Sequence, residues 1–265
     1  MKALFRKWTE LVEKPLPPLT TVENKYVIKE ILGKGSYGFT YLVEDEQKNQ
    51  KVLKQLRRYK RLDPSGIKAF EREATILKDF QHPAFPQFFE KFMDMNQKRF
   101  IIMEFKKGKT YEQLIFDDNV QFTEQEALKE LYQVLKLVKI IHNKGYVHRD
   151  LRIPNILKYE NTHYIIDFGL ARRVSDQVDK EEKLNRLDKR LFRENTFKSD
   201  FYALGHFLLF LLYSSYEPET NKKKTWEEEL MISSECKIIL RKMLQLDTAY
   251  DEVDHLIKDV EKCLN

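Results

Sequence analysis

The period of the apolar positions changes part-way along this chain. Between Tyr26 and Glu104 they alternate in short runs, whereas from Thr123 onward they recur every three or four residues. Alternation places successive side chains on opposite faces of a strand, and the longer period lines one face of a helix. "YVIKEILGKGSYGFTYLVED" therefore predicts two strands around a glycine-rich turn, and "QKVLKQL" predicts a third. "PSGIKAFEREATILKDFQHP" carries a stripe of Ile67, Phe70, Ala74 and Leu77, which predicts a helix stopped by Pro83. "FPQFFEKFMD" and "RFIIMEFKKG" predict two more strands, so the first half reads as a five-stranded lobe with one helix.

The second half predicts helices. "TEQEALKELYQVLKLVKIIHNKG" opens on a capping box, Thr123 with Glu126, and ends at Gly145. "KSDFYALGHFLLFLLYSS" is apolar nearly all round, as a buried helix is. "SSECKIILRKMLQL" and "YDEVDHLIKDVEKCLN" complete a helical lobe. Residues 1–14 form an amphipathic stretch with Leu4, Trp8, Leu11 and Val12 on one face, stopped by Pro15, Pro17 and Pro18. Packing on its own domain is the ordinary use of such a stripe, in preference to a membrane surface or a partner. The expected organisation is an extension over 1–19, a small lobe over 20–106 and a helical lobe over 107–265, with a hinge near Glu104 to Lys109.

Composition narrows the classes. The 265 residues are 42% hydrophobic and 34% charged, enough for a substantial core. The net charge of +5 arises from 47 basic and 42 acidic residues that interleave, so no basic stripe for nucleic acid stands out. The longest apolar run, Ala203 to Tyr213, is too short to span a bilayer. Cys236 and Cys263 show neither metal spacing nor a disulfide framework, and no signal peptide is evident, which points to the cytoplasm.

Chemistry concentrates in two places. Gly33, Gly35 and Gly38 form a G-x-G-x-x-G between two strands, where backbone N–H groups can approach phosphate; a strand follows the motif, so it is not the dinucleotide fold. Lys54, on the next strand, is placed to reach phosphates under that turn, and Glu73 is its natural partner; alone, either reads as a solvated surface charge. The second place is "YVHRDLRIPNILKYENTHYIIDFGLAR". Asp150 can accept a proton from an attacking hydroxyl, Asn155 and Asp167 are hard oxygen ligands suited to Mg²⁺, and Arg152 can steady a phosphoryl group in flight. His148, among apolar neighbours, reads as structural.

From about residue 24 to 260 the chain resembles the protein kinase family, with the Gly-rich loop, Lys54, Glu73, H-R-D at 148–150, Asn155 and D-F-G at 167–169 in order. It is similar to bacterial serine/threonine protein kinases. The resemblance implies an α+β, two-lobed fold that takes ATP and Mg²⁺ and phosphorylates Ser/Thr of proteins. Leu32, Gly33, Lys34, Gly35, Ser36, Tyr37 and Gly38 would cover the phosphates, and Lys54, paired with Glu73, would hold them. Glu104 to Lys106 would offer hinge backbone groups to adenine behind a Met103 gatekeeper, with Thr40, Val52 and Leu157 around the ring. Asp200 would tether the catalytic-loop backbone, and Leu77, Phe88, His148 and Phe168 would stack.

Three departures qualify the resemblance. Arg152 stands where serine/threonine kinases usually carry Lys, and a fork is not a point charge. No A-P-E follows the D-F-G, and Tyr250 occupies the place of the Arg that would pair with its Glu. Between Asp167 and Thr196 only Ser175 can be phosphorylated, while Leu184, Leu187 and Leu191 at helical spacing predict helix between Arg172 and Arg193. Lys189, Arg190 and Arg193 would then favour acidic or phosphorylated partners, and activity would need no loop phosphate. A kinase-fold phosphotransferase for small hydroxyl compounds and a pseudokinase binding module are the competing readings.

Overall fold

The computed structural model describes residues 13–35, 37–176, 187–217 and 224–265. The stripe of Leu4, Trp8, Leu11 and Val12, Ser36, Leu184 and the side chains of Leu187 and Lys189 lie outside the described residues. The chain divides into two compact units, Met1–Lys106 and Lys107–Asn265.

The first unit runs β1 (Thr21–Val22), β2 (Tyr26–Lys34), β3 (Gly38–Glu44), β4 (Gln50–Leu56), α1 (Arg58–Arg61), α2 (Pro64–Asp79), β5 (Phe88–Met93) and β6 (Arg99–Glu104). The strands form an antiparallel sheet in the order β1-β2-β3-β4-β6-β5. Six strands replace the expected five, because the two-residue β1 is too short to show a period. Alternation sends Phe39, Tyr41, Val43 and Leu53 to one face, where they build a core with Val22, Tyr26, Ile28, Phe100 and Ile102. Pairing of Thr40 with Lys54, of Lys54 with Ile101 and of Val52 with Met103 puts those residues on the other face.

Helix α2 begins at Pro64, whose missing N–H costs nothing there, and its N-cap Asp63 accepts from the Ser65 N–H at 3.0 Å. It stops at Asp79, short of Pro83. Phe80 leaves the helix (φ −94°, ψ 78°) to bury its ring against Phe85 at 5.4 Å.

The second unit contains β7 (Lys109–Thr110), α3 (Tyr111–Phe116), α4 (Glu124–Asn143), β8 (Tyr146–Val147), a 3₁₀ turn (Ile153–Asn155), β9 (Ile156–Tyr159), β10 (Thr162–Ile165) and β11 (Arg172–Arg173). It continues with α5 (Leu187–Arg193), α6 (Phe197–Leu212), a 3₁₀ turn (Tyr213–Ser215), α7 (Trp226–Glu229), α8 (Ser234–Met243) and α9 (Val253–Leu264). The expected capping box is present on α4: Thr123 Oγ1 accepts from the Glu126 N–H, and Glu126 accepts from the Thr123 N–H at 2.8 Å. After it Gly145 takes φ +73°, a left-handed value that glycine adopts without strain. Leu128, Leu131, Val134, Leu135, Val138 and Ile141 of α4 are buried, and α6 and α9 pack on it.

Candidate active site

In the glycine-rich turn, Gly33 pairs with Thr40 and the Gly35 N–H donates to the Gly38 carbonyl at 2.9 Å. The three glycines differ in what they are for. A Cβ on Gly38 would come within 2.6 Å of the Gln55 carbonyl oxygen, so the close approach of β4 demands glycine there. A Cβ on Gly33 or Gly35 would meet nothing nearer than 4.0 Å and 3.6 Å. The protein itself has room for side chains at those two positions, which fits a surface kept clear for phosphate.

Lys54 lies below this turn on β4, opposite Thr40. Its ammonium donates to Glu73 Oε1 at 2.7 Å, with Lys54 8% and Glu73 2% exposed. Glu73 projects from the α2 face that also buries Phe70, Ala74 and Leu77. A pair this buried is costly to break on one side only, by about 3–5 kcal/mol. Thr40 and Val52 are half-buried and Met103 is buried. Lys106 binds Glu104 Oε2 at 2.7 Å and the Pro83 carbonyl at 2.8 Å. The Glu104 and Lys106 side chains are thus committed within the unit, as is the Glu104 N–H, which donates to the Gln87 carbonyl at 2.8 Å.

In the second unit the catalytic-segment backbone hangs from α6. The His148 N–H donates to Asp200 Oδ2 at 2.8 Å and the Arg149 N–H to Oδ1 at 2.7 Å, while His142 Nε2 lies 2.9 Å from Oδ2. Asp200 is fully buried, and this grip holds Arg149 at φ +64°, a conformation that non-glycine residues adopt at a cost of about 1–3 kcal/mol. Asp167 sits at φ +63° in the same unit. His148 is fully buried with its ring 4.9 Å from Phe168, and burial lowers its pKa, so it stays a neutral packing element. Leu77, expected in the same stack, is buried within the first unit.

Asp150 is 8% exposed, and its carboxylate takes Arg152 Nε at 2.5 Å, Arg152 Nη2 at 3.0 Å and Asn155 Nδ2 at 2.9 Å. Asn155 Nδ2 also donates to the Asp150 carbonyl at 2.9 Å. With both amide hydrogens directed at Asp150, the Asn155 side-chain oxygen is the end left for a metal. The hairpin β9–β10 brings the other oxygen ligand alongside: Ile156 pairs with Ile165, and the Ile166 N–H donates to the Asn155 carbonyl at 2.9 Å, next to Asp167. Leu157, on β9, is buried. Beneath the hairpin, Glu130 of α4 accepts from Tyr111 Oη at 2.5 Å, from His163 Nε2 at 2.6 Å and from Lys158.

Among the described residues no cluster of three or more His, Cys, Asp or Glu could hold a metal. Asn155 with Asp167 fits Mg²⁺ in its usual setting, where substrate phosphates and water complete the shell.

The protein kinase domain model matches residues 26–251. The chain belongs to the protein kinase family. It is 32% identical over 255 residues to the probable serine/threonine-protein kinase YbdM of Bacillus subtilis, covering 96% of this chain and 95% of that protein. It is 27% identical over 273 residues to serine/threonine-protein kinase B of Synechocystis, where the match covers 92% of this chain but 46% of the relative. The crystal structure of a mutant form of the Mycobacterium tuberculosis PknI kinase domain superposes with a TM-score of 0.70 at 18% identity, covering 95% of this chain and 100% of that one, a likeness of fold.

This kinase departs from the expected activation segment. Arg172 and Arg173 are extended and pair with Val147 and Tyr146, whereas Leu187–Arg193 is helix α5; residues 177–186, with Leu184 of the expected stripe, lie outside the described residues. Helix α5 is held by an aromatic residue: Phe192 stacks on His206 at 5.1 Å and meets Tyr202 edge-on at 4.8 Å. Arg149 Nε donates to the Arg193 carbonyl at 2.8 Å, at the C-terminal end of α5, where a cation is favoured. Ser175 is exposed in a turn whose carbonyls, at Arg173 and Val174, bind Asn195 Nδ2 at 2.6 and 3.1 Å. Tyr250 is buried and donates to Asp259 at 2.9 Å, a neutral–charged pair in place of the missing ion pair.

Residues 57–61, four cations around Tyr59, form α1 with Arg57 as its N-cap, an element that periodicity does not show. Their charge density alone was the available signal.

Proposed function

We propose that this kinase transfers the γ-phosphoryl group of ATP to Ser/Thr hydroxyls of proteins, with each unit holding one part of the machinery. The glycine-rich turn from Leu32 to Gly38 covers the phosphates, Lys54 neutralises them and Glu73 orients Lys54. The backbone of Glu104 to Lys106 receives adenine beside Met103, and Thr40, Val52 and Leu157 contact the ring. Asn155 and Asp167 would hold Mg²⁺, which when bound neutralises charge on the phosphate oxygens. Asp150 orients the hydroxyl and accepts its proton. Arg152, half exposed, holds Asp150 in place and offers its remaining N–H groups to the transferring group.

The observation that carries this reading is the Asp150 carboxylate fixed by Arg152 and Asn155, with Asn155 joined through the hairpin to the residue preceding Asp167. The names of the relatives support Ser/Thr as acceptors. An excess of basic residues from Ala171 to Arg193 supports acidic substrates, although Arg190 is already paired with Glu194 at 3.1 Å. The two free cysteines suit the cytoplasm, and among the described residues no helix is long and apolar enough to cross a membrane.

Purified protein incubated with labelled ATP and Mg²⁺, with acidic and basic protein substrates, tests this directly. Label on Ser or Thr supports the proposal. Label on Tyr alone, or turnover only with small hydroxyl compounds, overturns it.

A further inference from the structure

Strand β4 runs straight into Arg57-Arg58-Tyr59-Lys60-Arg61. Four cations in five residues repel one another, and α1 has no acidic residue in its first turn to offset them. The counter-charge comes from 45 residues earlier in the chain. Both carboxylate oxygens of Glu13 accept from the Arg58 N–H at 2.9 Å, and Glu13 Oε2 lies 3.8 Å from Arg57 Nε. The carboxylate is sheltered, with 13% of its side chain exposed. Further along the same segment, the Leu16 N–H donates to Tyr41 Oη at 3.0 Å, and Tyr41 donates to Gln55 at 3.1 Å, so residues 13–16 are fastened to the sheet at two points.

Arg57 connects Glu13 to the glycine-rich turn. Its Nη1 donates to the Gly35 carbonyl at 3.3 Å, its N–H donates to the Tyr37 carbonyl at 3.0 Å, and its guanidinium lies 4.7 Å over Phe39. Lys60, one turn on, places its ammonium 4.0 Å over the Tyr37 ring. A Cβ at Gly33 or Gly35 would meet nothing nearer than 3.6 Å, so Arg57 and Lys60 add to the holds that the Gly33–Thr40 pairing and the Gly35–Gly38 hydrogen bond give the turn.

We infer that Glu13 is a positioning residue for the nucleotide: through Arg57 it sets where the glycine-rich turn lies, and with it the affinity for ATP. The inference rests on the reading that this turn covers the phosphates. Glu13 adds to the holds that keep the Arg57 fork aimed at Gly35; without the carboxylate the fork is held less firmly there, and ATP must do more to order the turn on binding. The cost falls on binding and not on the proton transfer at Asp150.

The test uses the full chain. Glu13→Gln keeps an acceptor for the Arg58 N–H but removes the charge beside Arg57. KM for ATP should rise about fivefold, the upper end for one ion pair near the surface, with kcat nearly unchanged. Adenosine binding should stay as in the parent, since adenosine has no phosphates. Arg57→Ala should raise KM by a similar factor, and the double variant should be no worse than either single one. Equal KM values for parent and Glu13→Gln, with or without a lower melting temperature, would reduce Glu13 to a fold contact and overturn the inference. Additive effects in the double variant would also overturn it. Gly35→Val is the control for the underlying reading: it should weaken ATP but not adenosine, and if ATP binding is untouched, the phosphate assignment and the inference fall together.

Discussion

The Asp150 carboxylate is gripped by both arms of the Arg152 fork, Nε to Oδ1 at 2.5 Å and Nη2 to Oδ2 at 3.0 Å. The carboxylate also raises the Arg152 pKa. Asp150→Asn should therefore leave ATP binding intact and lower kcat by about 10²–10⁴-fold. Arg152→Lys keeps the charge but loses the fork, and its kcat should fall by about tenfold. Steady-state kinetics with ATP titrations check both, and undiminished transfer by Asp150→Asn would place the base elsewhere.

Lys54 and Glu73 separate stability from catalysis. Lys54→Ala leaves a carboxylate buried without its ammonium, which should cost about 3 kcal/mol and abolish turnover. Lys54→Met with Glu73→Leu removes both charges. That double variant should recover most of the melting temperature and none of the activity. Recovered turnover would show that the ammonium does not act on the nucleotide.

Phe192 and Arg149 should make the activation segment independent of phosphate. Protein made without phosphorylation is expected to be active at once, and Ser175→Ala should change little. Phe192→Ala removes the contacts with Tyr202 and His206, worth about 1–2 kcal/mol. Amide exchange over 187–193 should quicken in that variant. An enzyme silent until Ser175 is modified would refute this account.

Glu130 gives the helical unit an acid limit. Burial by itself would raise its pKa, but hydrogen bonds from His163, Lys158 and Tyr111 outweigh burial and hold it at about 2, against an ordinary 4.5. A folded-state pKa below the unfolded one stabilises the protein above about pH 4.5 and is lost as pH falls toward about 2. Melting temperature should drop more steeply between those values in the parent than in Glu130→Gln. Parallel curves would show that Glu130 contributes no such linkage.

Helices with a cap and a stripe, such as Glu124–Asn143, were legible because local period and burial agree there. The two-residue strands and the β9–β10 hairpin were not, because their pairing is decided by contacts made elsewhere in the unit. Helix α1 has no apolar period at all. Lys54, Glu73, Asp150, Asn155 and Asp167 stood out through motif spacing and not through physics alone. Glu13 carries no local mark, since its role lies in a contact with residues 57 and 58, far along the chain. The leucine spacing pointed to helix at Leu187–Arg193, but periodicity could not show that Arg172 and Arg173 pair with Tyr146–Val147 as strand.

The Asp200 tether also bears on the order of folding. The backbone turn at Arg149 is unfavourable on its own and is imposed by a carboxylate 51 residues further along the chain. Closing that loop carries an entropic cost that only docking of α6 repays. The catalytic loop is therefore a late-forming piece, and a refolding sample should regain helical circular dichroism before it regains phosphoryl transfer. A nascent chain that has not yet completed α6 lacks the group that shapes its H-R-D turn, so catalytic competence arrives only with the helical unit as a whole.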